Sequence, residues 1–140
     1  MVYFPDNYFE KEIRNGFEVS SMMKRAWAGQ IEVLSVIREI CERHNILWFA
    51  DYGTLLGAVR HKGFIPWDDD MDIGMTRDNL NNFIKYAKDE LPDEYKLLCM
   101  DLEPQYDSLI VRVVNSTSVS MDKERLYKFH GCPYVLGIDI

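Results

Sequence analysis

The sequence predicts an α/β domain of the α+β kind, in which a small mixed β-sheet is flanked by helices. A long amphipathic helix pattern covers residues 21–44. Apolar runs rich in strand-forming residues cover residues 46–50 and 109–114, and residues 70–75 alternate between apolar and polar positions as a strand does. Connections such as residues 64–67 are too short for a crossover helix, so some neighbouring strands must be antiparallel. We therefore expect the three strands to share one mixed sheet, with the long helix packed against it.

Composition indicates one folded domain. The chain has 140 residues, of which 47% are apolar and 13% aromatic, as in globular proteins and unlike disordered chains. The formal net charge of -7 argues against a sequence-independent grip on DNA or RNA, because such binding needs an excess of lysine and arginine. No apolar run approaches the ~20 residues of a membrane span, so we expect at most peripheral membrane contact.

The cysteines and the first residues predict a cytoplasmic protein. Cys41, Cys99 and Cys132 are odd in number and widely spaced, so they indicate neither a disulfide framework nor a Cys-x-x-Cys zinc site. Buried, reduced thiols are the simplest interpretation. Residues 1–16 lack the apolar core of a secretory signal.

Periodicity and capping signals place the first two helices. A short helix is expected over residues 6–15, where Gly16 would end it. The long helix of residues 21–44 follows Ser20, a favourable N-cap residue. Its apolar positions recur every three to four residues, which predicts one buried face.

The remaining elements are shorter. A helix is expected to start at Thr54, and another follows Thr76 and ends at Leu91, before a proline. Residues 95–100 are expected to form a strand, and residues 137–140 form the tip of a last one.

An acidic stretch in residues 51–75 carries the strongest chemical signal. Asp68, Asp69, Asp70 and Asp72 are crowded together, and two carboxylates about 4 Å apart repel by about 4 kcal/mol at an effective dielectric near 20. A divalent cation would offset that repulsion. In a strand, Asp70 and Asp72 point to the same face, where they can hold one Mg²⁺ or bridge two.

Two further features suggest anion binding. Gly53 and Thr54 follow a predicted strand and open a helix, so free backbone N–H groups would face a phosphate there. Arg112 interrupts an apolar strand, either as an edge arginine that extends to solvent or as a phosphate ligand.

These residues together resemble a known family. Gly53-Thr54, then Asp70-Met71-Asp72-Ile73, then Ile138-Asp139-Ile140, looks like the carboxylate arrangement of the nucleotidyltransferase superfamily related to DNA polymerase beta. The longer string of residues 52–70, YGTLLGAVRHKGFIPWDDD, resembles the LicD family of phosphocholine transferases, with the fukutin-related proteins as distant relatives. The resemblance covers roughly residues 23–77 and resumes at residues 137–140. Because that family generally continues beyond this last element, residues 1–140 are interpreted as a single nucleotidyltransferase-like domain, incomplete at the C-terminus.

The resemblance implies an activity and a metal. A phosphocholine-type group would pass from a CDP-alcohol, such as CDP-choline, to a hydroxyl of a cell-surface glycan, lipopolysaccharide or teichoic acid, with CMP leaving. Asp70 and Asp72 would hold Mg²⁺ or Mn²⁺. Asp139 would complete the metal site or accept the proton of the attacking hydroxyl.

The resemblance also suggests substrate-binding residues. Arg60 and Lys62 would bind the phosphates, as a planar fork and a point charge. Trp67 would stack on a base or contact a choline cation, or else pack under its loop. Asp68 and Asp69 would contact acceptor or choline, or else only solvate the turn.

Two alternatives remain open from the sequence. The domain could be a catalytically silent module that binds a nucleotide-alcohol or glycan without turnover. It could also be a glycosidase that uses a carboxylate pair without metal, although Gly53-Thr54, Arg60 and Lys62 would then have no purpose.

Overall fold

The computed structural model describes all residues from Met1 to Ile140. Helices and short strands alternate along the chain, which confirms the α+β class. The elements are a 3₁₀ turn at Asp6–Phe9, helices α1 (Ser21–Arg43), α2 (Tyr52–Arg60), α3 (Arg77–Glu90) and α4 (Lys123–Lys128), and strands β1 (Glu12–Arg14), β2 (Phe17–Val19), β3 (Phe49–Ala50), β4 (Ile73–Gly74), β5 (Lys96–Leu98), β6 (Arg112–Val114) and β7 (Gly137–Asp139).

A mixed sheet lies at the centre of the fold. Strands β3 and β4 form one antiparallel pair, and β5, β6 and β7 form an antiparallel sheet in that order. A parallel bridge between Asp72 and Asp139 joins the two, and the Asp139 backbone N–H donates to the Met71 carbonyl at 3.1 Å. The joined strand order is therefore β3-β4-β7-β6-β5. All neighbouring strands are antiparallel except β4 and β7, which meet in parallel at Asp72 and Asp139.

The strands are shorter than predicted. Pairing begins only at Phe49 in the run 46–50, at Ile73 in the run 70–75 and at Arg112 in the run 109–114. Leu109, at the start of the last run, is 91% exposed. Next to these strands, Met71, Asp72 and Val111 make only single backbone contacts, with Asp139, Asp51 and Ile140, and not a continuous ladder. A strand-forming sequence becomes a strand only where a partner strand continues beside it.

The predicted helix over residues 6–15 is wrong. Only Asp6–Phe9 forms a 3₁₀ turn, and β1 and β2 then form a hairpin. Asn15 and Gly16 occupy its turn with φ of 52° and 78°. Asn-Gly favours a two-residue turn of this kind, because both residues tolerate the left-handed region. Charged residues on both sides of the turn obscured the strand alternation.

The long helix agrees closely with its prediction. The Ser20 hydroxyl accepts a hydrogen bond from the Met23 backbone N–H at 3.1 Å and caps α1. Trp27, Val33 and Ile37 are fully or almost fully buried on its inner face. This face contacts α3, β6 and β7, so α1 supports the strands that carry Arg112 and Asp139.

Helices α2 and α3 test the predicted start positions. Helix α2 begins at Tyr52, not at Thr54, because the Asp51 carboxylate accepts the Tyr52 N–H at 2.8 Å and caps the helix. Helix α3 follows Thr76 as predicted, but the Thr76 hydroxyl accepts from the Asn79 side chain at 2.8 Å and not from the backbone.

The three cysteines are free and buried, as predicted. Burial raises the pKa of the Cys41 thiol to about 11, so this group stays protonated at neutral pH. None of the helices has both the length and the apolar composition needed to cross a membrane.

Two glycines near α2 provide a matched test of packing. A Cβ on Gly57 would lie 2.5 Å from the Gly63 carbonyl oxygen, whereas a Cβ on Gly63 would meet nothing within 4 Å. Because backbone cannot rotate away, we expect Gly57→Ala to destabilise the domain by about 1–2 kcal/mol, even after the gain in helix propensity. Gly63→Ala is expected to change stability by less than about 0.5 kcal/mol. Urea unfolding of both variants measures the difference, and equal midpoints would contradict the described contact.

Candidate active site

Acidic side chains converge where β4, β7 and the loop before β4 meet. Carboxylate oxygens of Asp68, Asp69 and Asp70 all lie within 4.8 Å of one another. Asp69 and Asp70 are exposed and Asp68 is half-buried. Three carboxylates at this spacing provide the oxygen ligands that divalent cations prefer.

The charges of these groups act on one another. The pKa of Asp68 is raised, first by burial and then by a hydrogen bond and charge from Asp70. The pKa of Asp72 is also raised, first by burial and then by the charges of Asp70, Asp139, Asp68 and Asp51. Asp69 also contributes to the shift of Asp68, so six carboxylates lie in one electrostatic neighbourhood. The donor set therefore fits Mg²⁺ or Mn²⁺.

Asp70 belongs to both possible ligand sets. The sequence predicts Asp70, Asp72 and Asp139, whereas the tightest group of oxygens is Asp68, Asp69 and Asp70. The backbone bridge between Asp72 and Asp139 still holds those two residues side by side at the junction of the sheet. Asp70 is therefore the residue through which either set would hold a cation.

The positive charge beside these carboxylates comes from the Arg112 side chain. Arg112 lies opposite Asp139 in the register of β6 and β7. Its guanidinium donates hydrogen bonds to both carboxylate oxygens, from Nε to Oδ1 and from Nη2 to Oδ2 at 2.5 Å. This pair raises the pKa of Arg112 above its ordinary value, chiefly through the hydrogen bonds to Asp139. The sequence predicts a role for each residue separately but not their pairing, because the register of β6 and β7 depends on the fold.

The start of α2 contacts the acidic loop directly. A Cβ on Gly53 would lie 2.5 Å from Oδ2 of Asp68. The Thr54 hydroxyl accepts a hydrogen bond from the Asp72 backbone N–H at 2.8 Å. Gly53 therefore leaves room for an acidic side chain, and Thr54 holds the backbone of another in place. Asp51, which caps this helix, was not assigned to the site from sequence, although an aspartate before a helix start is a recognisable N-cap signal.

Helix α1 supports the same loop from behind. The Trp27 indole N–H donates to the Asp68 carbonyl at 2.8 Å, and the Gln30 amide N–H donates to the Asp69 carbonyl at 2.5 Å. Both side chains are buried. Both lie on the buried face that the periodicity of residues 21–44 predicts, but periodicity does not show that they fix the acidic loop.

Three predicted substrate contacts lie at the other end of α2. Arg60 is in its last turn, about 10 Å along the helix axis from Gly53. The Lys62 ammonium donates to the Val59 carbonyl at 3.0 Å. Trp67 is 53% exposed and makes edge contacts with two neighbouring rings. Arg60 and Lys62 therefore lie at the end of α2 opposite to Gly53.

Two cavities meet at Asp70. The larger one, about 490 Å³, lies between the first half of α1 and strands β6 and β7, and Arg112 and Asp139 line it. The smaller one, about 170 Å³, lies against α2 and is lined by Gly53 and Thr54 among others. Because Asp70 lines both, groups bound in the two cavities would meet at the carboxylates.

This architecture is that of a nucleotidyltransferase domain, with carboxylates on a mixed sheet beside a glycine-containing helix start. The chain belongs to the LicD/FKTN/FKRP family, whose nucleotidyltransferase domain matches residues 45–131. The match includes Asp51, both ends of α2 and every acidic residue of the site except Asp139.

Several curated relatives share this segment. The lipopolysaccharide cholinephosphotransferase LicD of Haemophilus influenzae is 37% identical over 84 residues, which is 59% of this chain and 32% of the relative. An uncharacterised protein of Rickettsia typhi is 42% identical over 52 residues, or 37% of this chain and 17% of the relative. The human ribitol 5-phosphate transferase FKRP is 37% identical over 43 residues, which is 31% of this chain and 9% of the relative. The chain therefore spans a third or less of these relatives, and no solved structure matches it significantly.

Gly53 offers a direct test of how the acidic loop meets α2. In Gly53→Ala the new methyl group must displace the Asp68 carboxylate, which can rotate, so we expect the circular dichroism spectrum to stay unchanged. Displacement of one potential ligand is expected to weaken Mn²⁺ binding by about tenfold, measured by isothermal titration calorimetry. Gly63→Ala is the control, because its methyl group meets no other atom. Equal Mn²⁺ affinity in both variants would show that Asp68 does not contribute to the cation site.

Proposed function

We propose that this domain transfers a phospho-alcohol group, such as phosphocholine, from a CDP-alcohol to a hydroxyl of a glycan, with Mg²⁺ or Mn²⁺ bound at Asp70. The observation that carries the proposal is the convergence of six carboxylates beside the start of α2, in a chain of this family. The names of two relatives supply the reaction class, because they describe cholinephosphate and ribitol 5-phosphate transfer.

The proposed reaction is a substitution at phosphorus. The acceptor oxygen forms a new bond to the phosphorus that carries the alcohol, and the bridging bond to CMP breaks. The proton of the hydroxyl passes to a carboxylate of the site that is not engaged with the cation, which is Asp72 where the cation engages Asp139 and Asp139 otherwise. A bound divalent cation would neutralise the pyrophosphate and the departing CMP.

Arg112 has a second task in this proposal. Its planar guanidinium matches phosphate as well as carboxylate geometry, and it lies at the edge of the larger cavity. In the structure it neutralises Asp139. If a metal ion replaced Arg112 as the partner of Asp139, the arginine would be free to bind the donor phosphates.

The partners follow from the same chemistry. Lipopolysaccharide is the acceptor named for the Haemophilus influenzae relative, and teichoic acid presents similar hydroxyl groups, so both are proposed acceptors. The exposed Trp67 ring offers a cation–π contact for choline. The free, buried cysteines fit a reducing compartment, so we place the reaction in the cytoplasm.

A silent binding module is the second candidate. The pairing of Arg112 with Asp139 favours it, because one carboxylate of the site is already neutralised without any metal. Such a module would bind a CDP-alcohol and release no CMP. Release of CMP from CDP-choline in the presence of Mg²⁺ and acceptor therefore separates the two candidates.

The Asp70→Asn variant tests the proposed metal requirement. Mg²⁺ or Mn²⁺ at 100 times its dissociation constant is expected to add about 2.7 kcal/mol of stability by mass action. Asp70→Asn should abolish this gain and any CMP release. Its metal-free stability should be equal or higher, because a repulsion with Asp68 and Asp72 is relieved. Differential scanning fluorimetry with a metal series measures both effects.

Asp93→Asn is the matched control, since Asp93 is an exposed carboxylate that does not line either cavity. It should keep the full metal effect. If no divalent ion stabilises the unaltered protein and Asp70→Asn lowers its metal-free stability, the carboxylates are structural and the proposed function fails.

A further inference from the structure

Helix α2 exposes an apolar stripe to solvent. Its residues recur at the three- and four-residue spacing of one helix face, and each is between 45% and 78% exposed: Tyr52, Leu55, Leu56 and Val59. The inner face is narrow, because Gly57 is the only residue of α2 that is buried. A helix normally turns its apolar face to the core, so this reversed arrangement indicates that the stripe packs against another molecule.

The two ends of the stripe carry opposite charges. At the amino-terminal end lie Asp51, which caps the helix, and Asp68, whose carboxylate would touch a Cβ on Gly53. At the carboxyl-terminal end lie Arg60 and Lys62. An apolar centre between an acidic end and a basic end is complementary to its own copy when that copy runs in the opposite direction.

We infer that a second copy of this chain docks antiparallel along α2 and brings its Arg60 to the acidic loop, residues 68–70, of the first copy. Across a two-fold axis, an isologous contact pairs residue i with residue j and residue j with residue i. The two stripes align along their full length when Tyr52 of each copy meets Val59 of the other. The axis then passes between Leu55 and Leu56.

The same axis brings opposite charges together. Arg60 of the second copy comes level with Asp51 of the first, because residues 60 and 51 are equally far from the axis. Arg60 and Gly53 lie on the same flank of α2, since the seven residues between them make almost two turns at 3.6 residues per turn. A two-fold axis keeps these flanks on one side of the pair. The guanidinium therefore approaches Gly53 from the side on which Asp68 lies.

Arg60 reaches the acidic loop in this pair from the neighbouring helix. Packed helices lie about 8–10 Å apart, a distance that the long arginine side chain spans. Within one copy, Arg60 lies at the end of α2 opposite to Gly53. Its role in turnover rests on the proposed function, because the donor phosphates would lie at the acidic loop and the planar guanidinium matches their geometry.

An anionic membrane fits the stripe less well than a second copy. Lipid phosphates would lie beside Asp51 and Asp68 at one end of the stripe, in a chain whose formal net charge is -7. A second copy instead presents Arg60 and Lys62 to that end.

Two exposed valines provide a matched test of the dimer. Interfaces that bury less than about 1,200 Å² are weak, so we expect a sedimentation coefficient that rises with protein concentration. Val59→Glu places a charge in the stripe and should leave only monomer. Val119→Glu should keep the dimer, because Val119 lies outside α2 and is 62% exposed, against 64% for Val59. An unaltered protein that stays monomeric, including one that binds phosphatidylglycerol vesicles as a monomer, would overturn the inference.

Disulfide formation tests the antiparallel register. The native cysteines are buried, so a cysteine introduced on α2 is the accessible thiol. Leu56→Cys lies next to its counterpart at the axis and should form a disulfide-linked dimer under mild oxidation, because a disulfide needs Cα atoms within about 7 Å. Ala58→Cys is the control, since Ala58 is exposed on the same helix but lies off the stripe. Equal crosslinking of both variants would contradict the register.

Mixing two inactive variants tests whether Arg60 acts across the dimer. Arg60→Ala and Asp70→Asn should each lose CMP release from CDP-choline. In an equimolar mixture about half of the dimers contain one copy of each, and one of their two sites has both residues. The mixture should therefore regain about a quarter of the unaltered activity when the dimer is saturated. No recovery, or full activity of Arg60→Ala alone, would overturn the role of Arg60.

The inference and the proposed function fail in different ways. If a monomeric protein releases CMP from CDP-choline, only the inference fails. If the unaltered protein never releases CMP, the proposed function fails, and sedimentation of Val59→Glu beside Val119→Glu, with crosslinking of Leu56→Cys, still decides whether the antiparallel dimer exists.

Discussion

Electrostatic repulsion among the acidic residues is the constraint on which the rest of the site depends. The sheet is closed at one point by the parallel bridge between Asp72 and Asp139, and the loop before it adds Asp68 and Asp70. Burial, and after it the neighbouring carboxylate charges, raise the pKa of Asp68 and Asp72. A fold selected for stability alone would not place carboxylates at the junction of its sheet.

The surrounding helices and strands hold the acidic residues in place although their charges repel one another. Helix α1 supplies a buried apolar face, and from the same face Trp27 and Gln30 donate hydrogen bonds to the acidic loop. Helix α2 supplies the Thr54 hydroxyl to the backbone of Asp72. The Arg112 guanidinium neutralises Asp139 from the neighbouring strand. Packing energy from the core thus maintains a cluster of carboxylates that repel one another.

The sequence predicted what depends on local pattern. Periodicity and the Ser20 cap located α1 closely, and charge crowding located the acidic stretch. The site contacts depend on register and packing, so the pairing of Arg112 with Asp139 and the hydrogen bonds from Trp27 and Gln30 to the acidic loop appeared only in three dimensions. The amino-terminal hairpin is different, because its Asn15-Gly16 turn was visible in the sequence and was outweighed by an assumed helix.

The most direct test of the account is the location of a bound Mn²⁺ ion. Crystals grown with MnCl₂ and measured at a wavelength where manganese scatters anomalously reveal the ion without any assumption about its ligands. The account predicts an anomalous peak with an Asp70 oxygen among its ligands at about 2.0–2.3 Å. Crystals with no peak near Asp70, at Mn²⁺ concentrations that stabilise the protein in solution, would contradict it.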